Sequence, residues 1–217
     1  MIFKTGLLPH RNRRFQLLSS PLLTSSRYYS PVHIDRRSEL LTSNNQGNTQ
    51  ECVGYAIAGW AEYYRWKYLG IAEQIDASKI YERAKQIDGY PNEEGTTLEA
   101  GLQAAQDLKL LPPATRIREV STKSEVKEAL HRYGVVISSF MATDKWMNPE
   151  SSGWMQEGGE KLGLHCVLLC GFSDIENPNY FSLQNSWGDI GWRGFVRMSP
   201  AQFDKEFQYG LAWDWKV

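Results

Sequence analysis

The chain has 217 residues, 41% hydrophobic and 23% charged, with a formal net charge of −1. That balance belongs to an ordinary globular chain, and nothing in the overall charge implies a nucleic-acid partner. Eight tryptophans and eleven tyrosines argue against disorder, and no apolar run reaches the roughly 18–20 residues that a membrane span requires.

The length suits one domain with a large core or two small lobes. Cysteine usage is sparse: Cys52, Cys166 and Cys170. An odd count leaves at least one thiol free. Cys166 and Cys170, on one strand, would stand roughly 13 Å apart, beyond disulfide reach. A reducing compartment such as the cytoplasm is the expectation.

The first 34 residues hold no Asp or Glu, but carry Lys4, Arg11, Arg13, Arg14 and Arg27 with five serines. Two readings are open for residues 1–30. One is an organellar targeting segment. The other, which is preferred, is an ordered basic arm, because Pro9, Phe15, Leu17, Leu18 and Pro21 read as extended chain. No apolar core of a secretory signal is visible. A single domain is expected over 31–217, with a helical lobe at about 45–111 and a β lobe at about 114–217.

In chain order, helical periodicity runs from Cys52 to Leu69 and stops at Gly70. Asp76 is placed to cap a second helix through Ile87, ahead of Gly89. Thr96 and Glu99 have capping-box spacing for a third helix reaching about Leu108. Pro112-Pro113 marks a break, followed by a short helix near 125–131. The rest reads as strands at 135–140, 164–172, 179–184, 194–198 and 210–215. Between them, 143–161 reads as a long Gly-, Met- and Trp-rich loop. The expected class is α+β with segregated halves and a site in the groove between them.

Three segments carry chemistry. Cys52 opens a helix, where unpaired N–H groups and the helix dipole stabilise a thiolate. His165 sits in an apolar strand, where an ionisable ring needs a partner. Asn185 lies in Gln-Asn-Ser-Trp-Gly at 184–188 and can fix an imidazole tautomer. Alone, each has a bland reading: a core cysteine, a satisfied core histidine, a turn asparagine.

Taken together they resemble the papain family of cysteine peptidases. The likeness lies in Gln46-Gly47 with Cys52 six residues after Gln46, in Leu164-His165-Cys166-Val167 leading to Gly171-Phe172, and in Asn185-Ser186-Trp187-Gly188 with Gly191-Trp192-Arg193-Gly194-Phe195. It runs from about Val32 to the C-terminus and implies a two-lobed fold with a β-barrel-like C-terminal lobe. It also implies roles: Cys52 as nucleophile, His165 as general base and acid, Asn185 as its orienter under Trp187. Gln46 would serve the oxyanion with the Cys52 backbone N–H, an interaction worth about 3–4 kcal/mol in barrier. Gly95, Thr96 and Leu164 would contact substrate.

Departures accompany the likeness. Thr49-Gln50-Glu51-Cys52-Val53 stands where the family usually has Cys-Gly-Ser-Cys-Trp, and the long inhibitory propeptide of secreted members is not seen. The chain looks like the compact, disulfide-free relatives of bacteria and their viruses, whose N-terminal arm belongs to the folded domain. The expected activity is thiol endopeptidase on protein or peptide substrates through an acyl-enzyme. Nothing calls for a metal, a cofactor, nucleic acid or a membrane, and a monomer would suffice. Alternatives are an amidase acting on peptidoglycan or isopeptide bonds, and an inactive binding module of the same fold.

Overall fold

The computed structural model describes residues 4–9, 31–41, 45–112 and 117–214. Helices α1 (Cys52–Tyr64), α2 (Ala77–Lys85) and α3 (Leu98–Asp107) come first. Most strands follow: β2 (Ile117–Val120), β3 (Val136–Thr143), β4 (Lys161–Ser173), β5 (Tyr180–Gln184), β6 (Phe195–Met198) and β7 (Phe207–Trp213). Helix α4 (Lys123–Tyr133), the kinked turn α5 (Ile190–Arg193) and α6 (Pro200–Glu206) are set among them.

The strands form one antiparallel sheet in the order β2-β7-β3-β4-β5-β6. Strand β1 (His33–Asp35) pairs with the far end of β4. The chain therefore enters the β lobe first, before building the helices.

Strand β4 explains the architecture. Cys166, Leu168 and Cys170 point to one face, where they pack with Ile57 and Trp60 of α1 and Leu102 of α3. Val167 and Leu169 point to the other, into a cluster with Leu130, Phe140, Trp146, Phe181 and Phe203. A strand buried on both faces reads as a continuous apolar run rather than an alternating one. Its period-2 geometry sends neighbouring residues to different lobes.

Several local readings shift. The first helix is regular only to Tyr64; a π-turn over Arg65–Leu69 precedes Gly70, whose φ of 69° suits glycine. Asp76 caps α2 as its position suggests. The third helix is capped by Thr97, whose hydroxyl accepts from Ala100 N at 3.1 Å; Thr96 instead donates to Asp88 at 3.0 Å. A capping box does occur, at Thr122 and Glu125 of α4. The 143–161 segment is no free loop: Trp146 is fully buried, and Trp154 bridges to Arg197.

The departures around Cys52 are built into the local packing and hydrogen bonding. Val53 is buried where α3 comes closest: a methyl on Gly101 would lie 2.7 Å from Val53 Cγ1. Thr49 closes its turn with a hydroxyl hydrogen bond to Gln46 O at 2.8 Å. All three cysteines are buried free thiols. Among the described residues, no helix is long and apolar enough to cross a membrane, and no group of three His, Cys, Asp or Glu side chains could hold a metal ion.

Candidate active site

Cys52 is the first residue of α1, and Glu51 before it makes no side-chain cap. The helix start thus leaves its own N–H groups for the sulfur: those of Cys52 and Val53 act on the thiol from α1. The Cys166 N–H acts from the sheet side. The Glu51 carboxylate, which the sequence sets beside the nucleophile, turns to α2 and accepts the Ser78 hydroxyl at 2.8 Å.

His165 shares the β4 face of Val167, which places it against the aromatic cluster. Its ring stacks on Trp187 with centroids 4.5 Å apart and planes 25° apart. Trp146 lies perpendicular beside this pair, its centroid 6.1 Å from His165 and 6.4 Å from Trp187. Nε2 meets Asn185 Oδ1 at 2.9 Å, and Oδ1 also accepts the Ser186 N–H at 2.8 Å. A neutral ring donating from Nε2 leaves Nδ1 as an acceptor, and that buried nitrogen has no hydrogen-bond partner. Asn185 in turn is anchored through its backbone N–H to Gly194 O at 2.9 Å.

Gln46 is buried and held on three sides. Its Oε1 accepts the Ser186 hydroxyl at 2.6 Å, and its backbone N–H donates to Ser186 O at 2.9 Å. Its Nε2 donates to Thr49 O at 2.7 Å and to Lys4 O at 3.0 Å. Residues 46, 185 and 186 therefore form one polar unit, Gln46 and Ser186 standing 140 residues apart in sequence.

The Lys4 contact belongs to a larger feature. The segment 4–9 lies along the groove between the lobes. Leu7 bridges Thr96 in parallel: Leu8 N donates to Thr96 O at 2.8 Å and Thr96 N to Gly6 O at 2.8 Å. Leu7 N donates to Leu164 O at 3.2 Å. Tyr90 donates its hydroxyl to Pro9 O at 2.6 Å, and Glu94 receives both the Lys4 ammonium and the Gln50 amide. Gly6 passes so close to the nucleophile loop that a Cβ there would lie 1.9 Å from Gln50 O; one on Gly95, at φ 84°, would lie 2.2 Å from Gly6 O. The Gly6 N–H acts on the Cys52 thiol.

Burial sets the electrostatics. The thiolate expected at a helix start is not what the closed groove holds. Burial pushes Cys52 up to about 11, and the backbone N–H groups only partly offset it. Burial pushes His165 down to about 4 against the opposing hydrogen bond from Asn185. Both shifts disfavour the charged form, so a dry groove keeps thiol and imidazole neutral.

The structure brings His165, Asn185 and Trp187 into direct contact, joins Gln46 to them through Ser186, and links Cys52, Gln46, Thr96 and Leu164 through the 4–9 segment. Gly95 sits behind Thr96, its N–H donating to the Tyr81 hydroxyl at 3.2 Å. Of the residues 1–30 read as a basic arm, 4–9 are described; 1–3 and 10–30 lie outside the described residues. Sequence reasoning missed Trp146, which reaches the His165 ring while donating Nε1 to Glu206 at 2.9 Å. The only signal was a tryptophan within a segment read as loop.

A thiol, an amide-held imidazole and an inward-facing amide donor are the means of nucleophilic acyl transfer, the chemistry of thiol hydrolases. The fold narrows the class. Residues 37–210 match the papain family cysteine proteases, and the chain belongs to that family. Xylellain, a cysteine protease from Xylella fastidiosa, superposes with a TM-score of 0.75 over 96% of this chain and 95% of its own, at 15% identity. Procathepsin L 3 of the Tenebrio molitor larval midgut gives 0.71 over 96% of this chain and 75% of its own, at 16% identity. Both share the fold. Cathepsin B-like cysteine proteinase 1 of Ostertagia ostertagi is 26% identical over 88 residues, which span 40% of this chain but only 26% of that relative.

Proposed function

We propose that the chain is a thiol endopeptidase in which Cys52 attacks the scissile carbonyl. His165 takes the thiol proton and passes it to the departing amine, leaving a thioester on Cys52. Water, deprotonated by the same ring, then releases the acid and restores the thiol. Asn185 fixes the ring so that Nδ1 faces the reacting centre, and Trp187 keeps water from the His165–Asn185 hydrogen bond. Gln46 Nε2 and the Cys52 N–H receive the oxyanion.

One observation carries this reading. The groove already holds extended backbone, with a carbonyl, that of Lys4, on the Gln46 amide. Thr96 and Leu164 supply the hydrogen bonds that grip the segment. The occupied state is the resting one, because substrate and segment need the same donors and acceptors. Displacing the segment readmits water, which relaxes both desolvation shifts and lets the thiolate–imidazolium pair form.

The test uses the full chain, a fluorogenic peptide set and an epoxysuccinyl probe. Wild type should cleave peptides and be labelled on Cys52, and Cys52→Ala should do neither. A chain that remains unlabelled after the segment is displaced, with Cys52 reduced, would defeat the proposal. Turnover of peptidoglycan fragments or isopeptides without cleavage of linear peptides would assign the same chemistry to a different substrate.

A further inference from the structure

A second pocket lies away from the groove, of about 370 Å³, lined by Arg37, Ser151, Ser152, Ser182, Trp192 and Arg197 among others. Ser182 and Arg197 face each other across the β5–β6 pair. The polar side chains on this wall are guanidinium and hydroxyl groups, and no carboxylate lines it.

The two guanidinium groups are pre-oriented. Arg37 is forked onto Asp35, with Nη2 at 2.6 Å and Nε at 2.9 Å, and its Cζ stands 4.9 Å over the Trp192 ring. Arg197 stacks on Tyr180, its Cζ 4.6 Å from the ring centroid. Among the described residues it has no carboxylate partner. A fixed guanidinium without a counter-charge, beside a partly filled second one, is a fork for an oxyanion. Ser182 adds a buried hydroxyl: it accepts from the Cys170 thiol at 3.6 Å and keeps its own proton to donate. Trp192, 55% exposed, offers a flat apolar floor beside them.

We infer that this pocket binds a small oxyanion, a carboxylate or phosphate group, held by Arg197 and Ser182 with Arg37 and Trp192 flanking it. The site is separate from the Cys52 groove and shares no residue with it. Its chemistry suits the terminal carboxylate of a peptide as well as free phosphate.

Calorimetric titration at constant ionic strength tests this with inorganic phosphate in one arm and an N-acetyl amino acid in the other. Either probe should bind the wild-type chain saturably and once per molecule. The tighter arm identifies the source. Arg197→Gln should weaken binding by about 10- to 100-fold, the loss expected for a hydrogen bond to a charged group. Ser182→Ala should weaken it less, and Cys52→Ala should bind as wild type does. Absence of saturable binding by the wild-type chain in both arms overturns the inference, whatever the variants do. So does equal binding by wild type and either pocket variant.

Discussion

The side-chain amide of Gln46 donates to the backbone carbonyl of Lys4 at 3.0 Å, joining the nucleophile loop to a residue 42 positions earlier. That single bond places residues 4–9 on the amide proposed to receive the oxyanion. It makes the segment, rather than Cys52 or His165, the element to perturb first.

Gly6→Val should expel the segment. The added atoms would begin 1.9 Å from Gln50 O, an overlap with backbone that a flexible side chain cannot relieve. Only the segment must move, so the domain should stay folded. Iodoacetamide alkylation of Cys52 near pH 7 should become at least about tenfold faster. An unchanged rate would show that the segment does not control the thiol.

The pH profile of that alkylation should shift in the same direction. In the occupied form the thiol lies at about 11, so little thiolate exists at neutral pH and the rate should climb only in alkali. With the segment displaced, desolvation falls and the profile should move toward lower pH. Identical profiles for wild type and Gly6→Val would contradict the burial argument.

Asn185→Ala should leave His165 without its one charge-favouring hydrogen bond. Peptide hydrolysis should fall by about 10²-fold, largely in kcat, as expected when a general base loses its tautomer and orientation. Asn185→Asp, which retains an acceptor at the same place, should recover part of the loss. Equal rates for wild type and Asn185→Ala would remove the orienting role.

Stability against acid should hide two opposing terms. His165 is depressed to about 4, so between its unfolded value near 6.5 and that pH the unfolded chain holds the extra proton, and stability falls as pH falls. Glu62 is raised to about 7 by burial. Over its window, from about 7 down to its unfolded value near 4.5, the folded chain holds the extra proton, and stability rises as pH falls. The two largely cancel in wild type. Glu62→Gln keeps the acceptor for Ile75 N, which Glu62 engages at 2.7 Å, but does not titrate. Between pH 7 and 5 it should lose on the order of 2 kcal/mol. Urea melts at the two pH values, compared with wild type, measure this difference.

Trp146→Phe should keep the aromatic packing and lose the Nε1 hydrogen bond to Glu206, whose carboxyl would retain Gln202 at 3.1 Å. A stability loss of about 1–3 kcal/mol is expected in a urea melt. A loss within about 0.5 kcal/mol, the range of an ordinary surface change, would mean that the buried bond contributes nothing measurable.

Much of this molecule is written locally. The strand runs around His165, Phe181 and Phe195, the Asp76 cap and the order of cysteine, histidine and asparagine motifs follow from periodicity and residue chemistry within short windows. The third helix cap was misread because Thr96 and Thr97 offer the same hydroxyl. Pairing with Leu7, 89 residues away, commits Thr96 to the groove and leaves Thr97 for the helix.

The amino-acid sequence by itself determined the α+β class, the papain-like motifs and the identity of a thiol beside a helix start. Tertiary structure alone decided what surrounds that thiol. Burial depends on which distant segments pack together, and the 4–9 segment, the Trp146 edge and the Arg37–Arg197 pocket each join residues dozens of positions apart. Local periodicity carries no information about such contacts, yet the packing around the groove is what buries Cys52 and His165 and keeps both neutral.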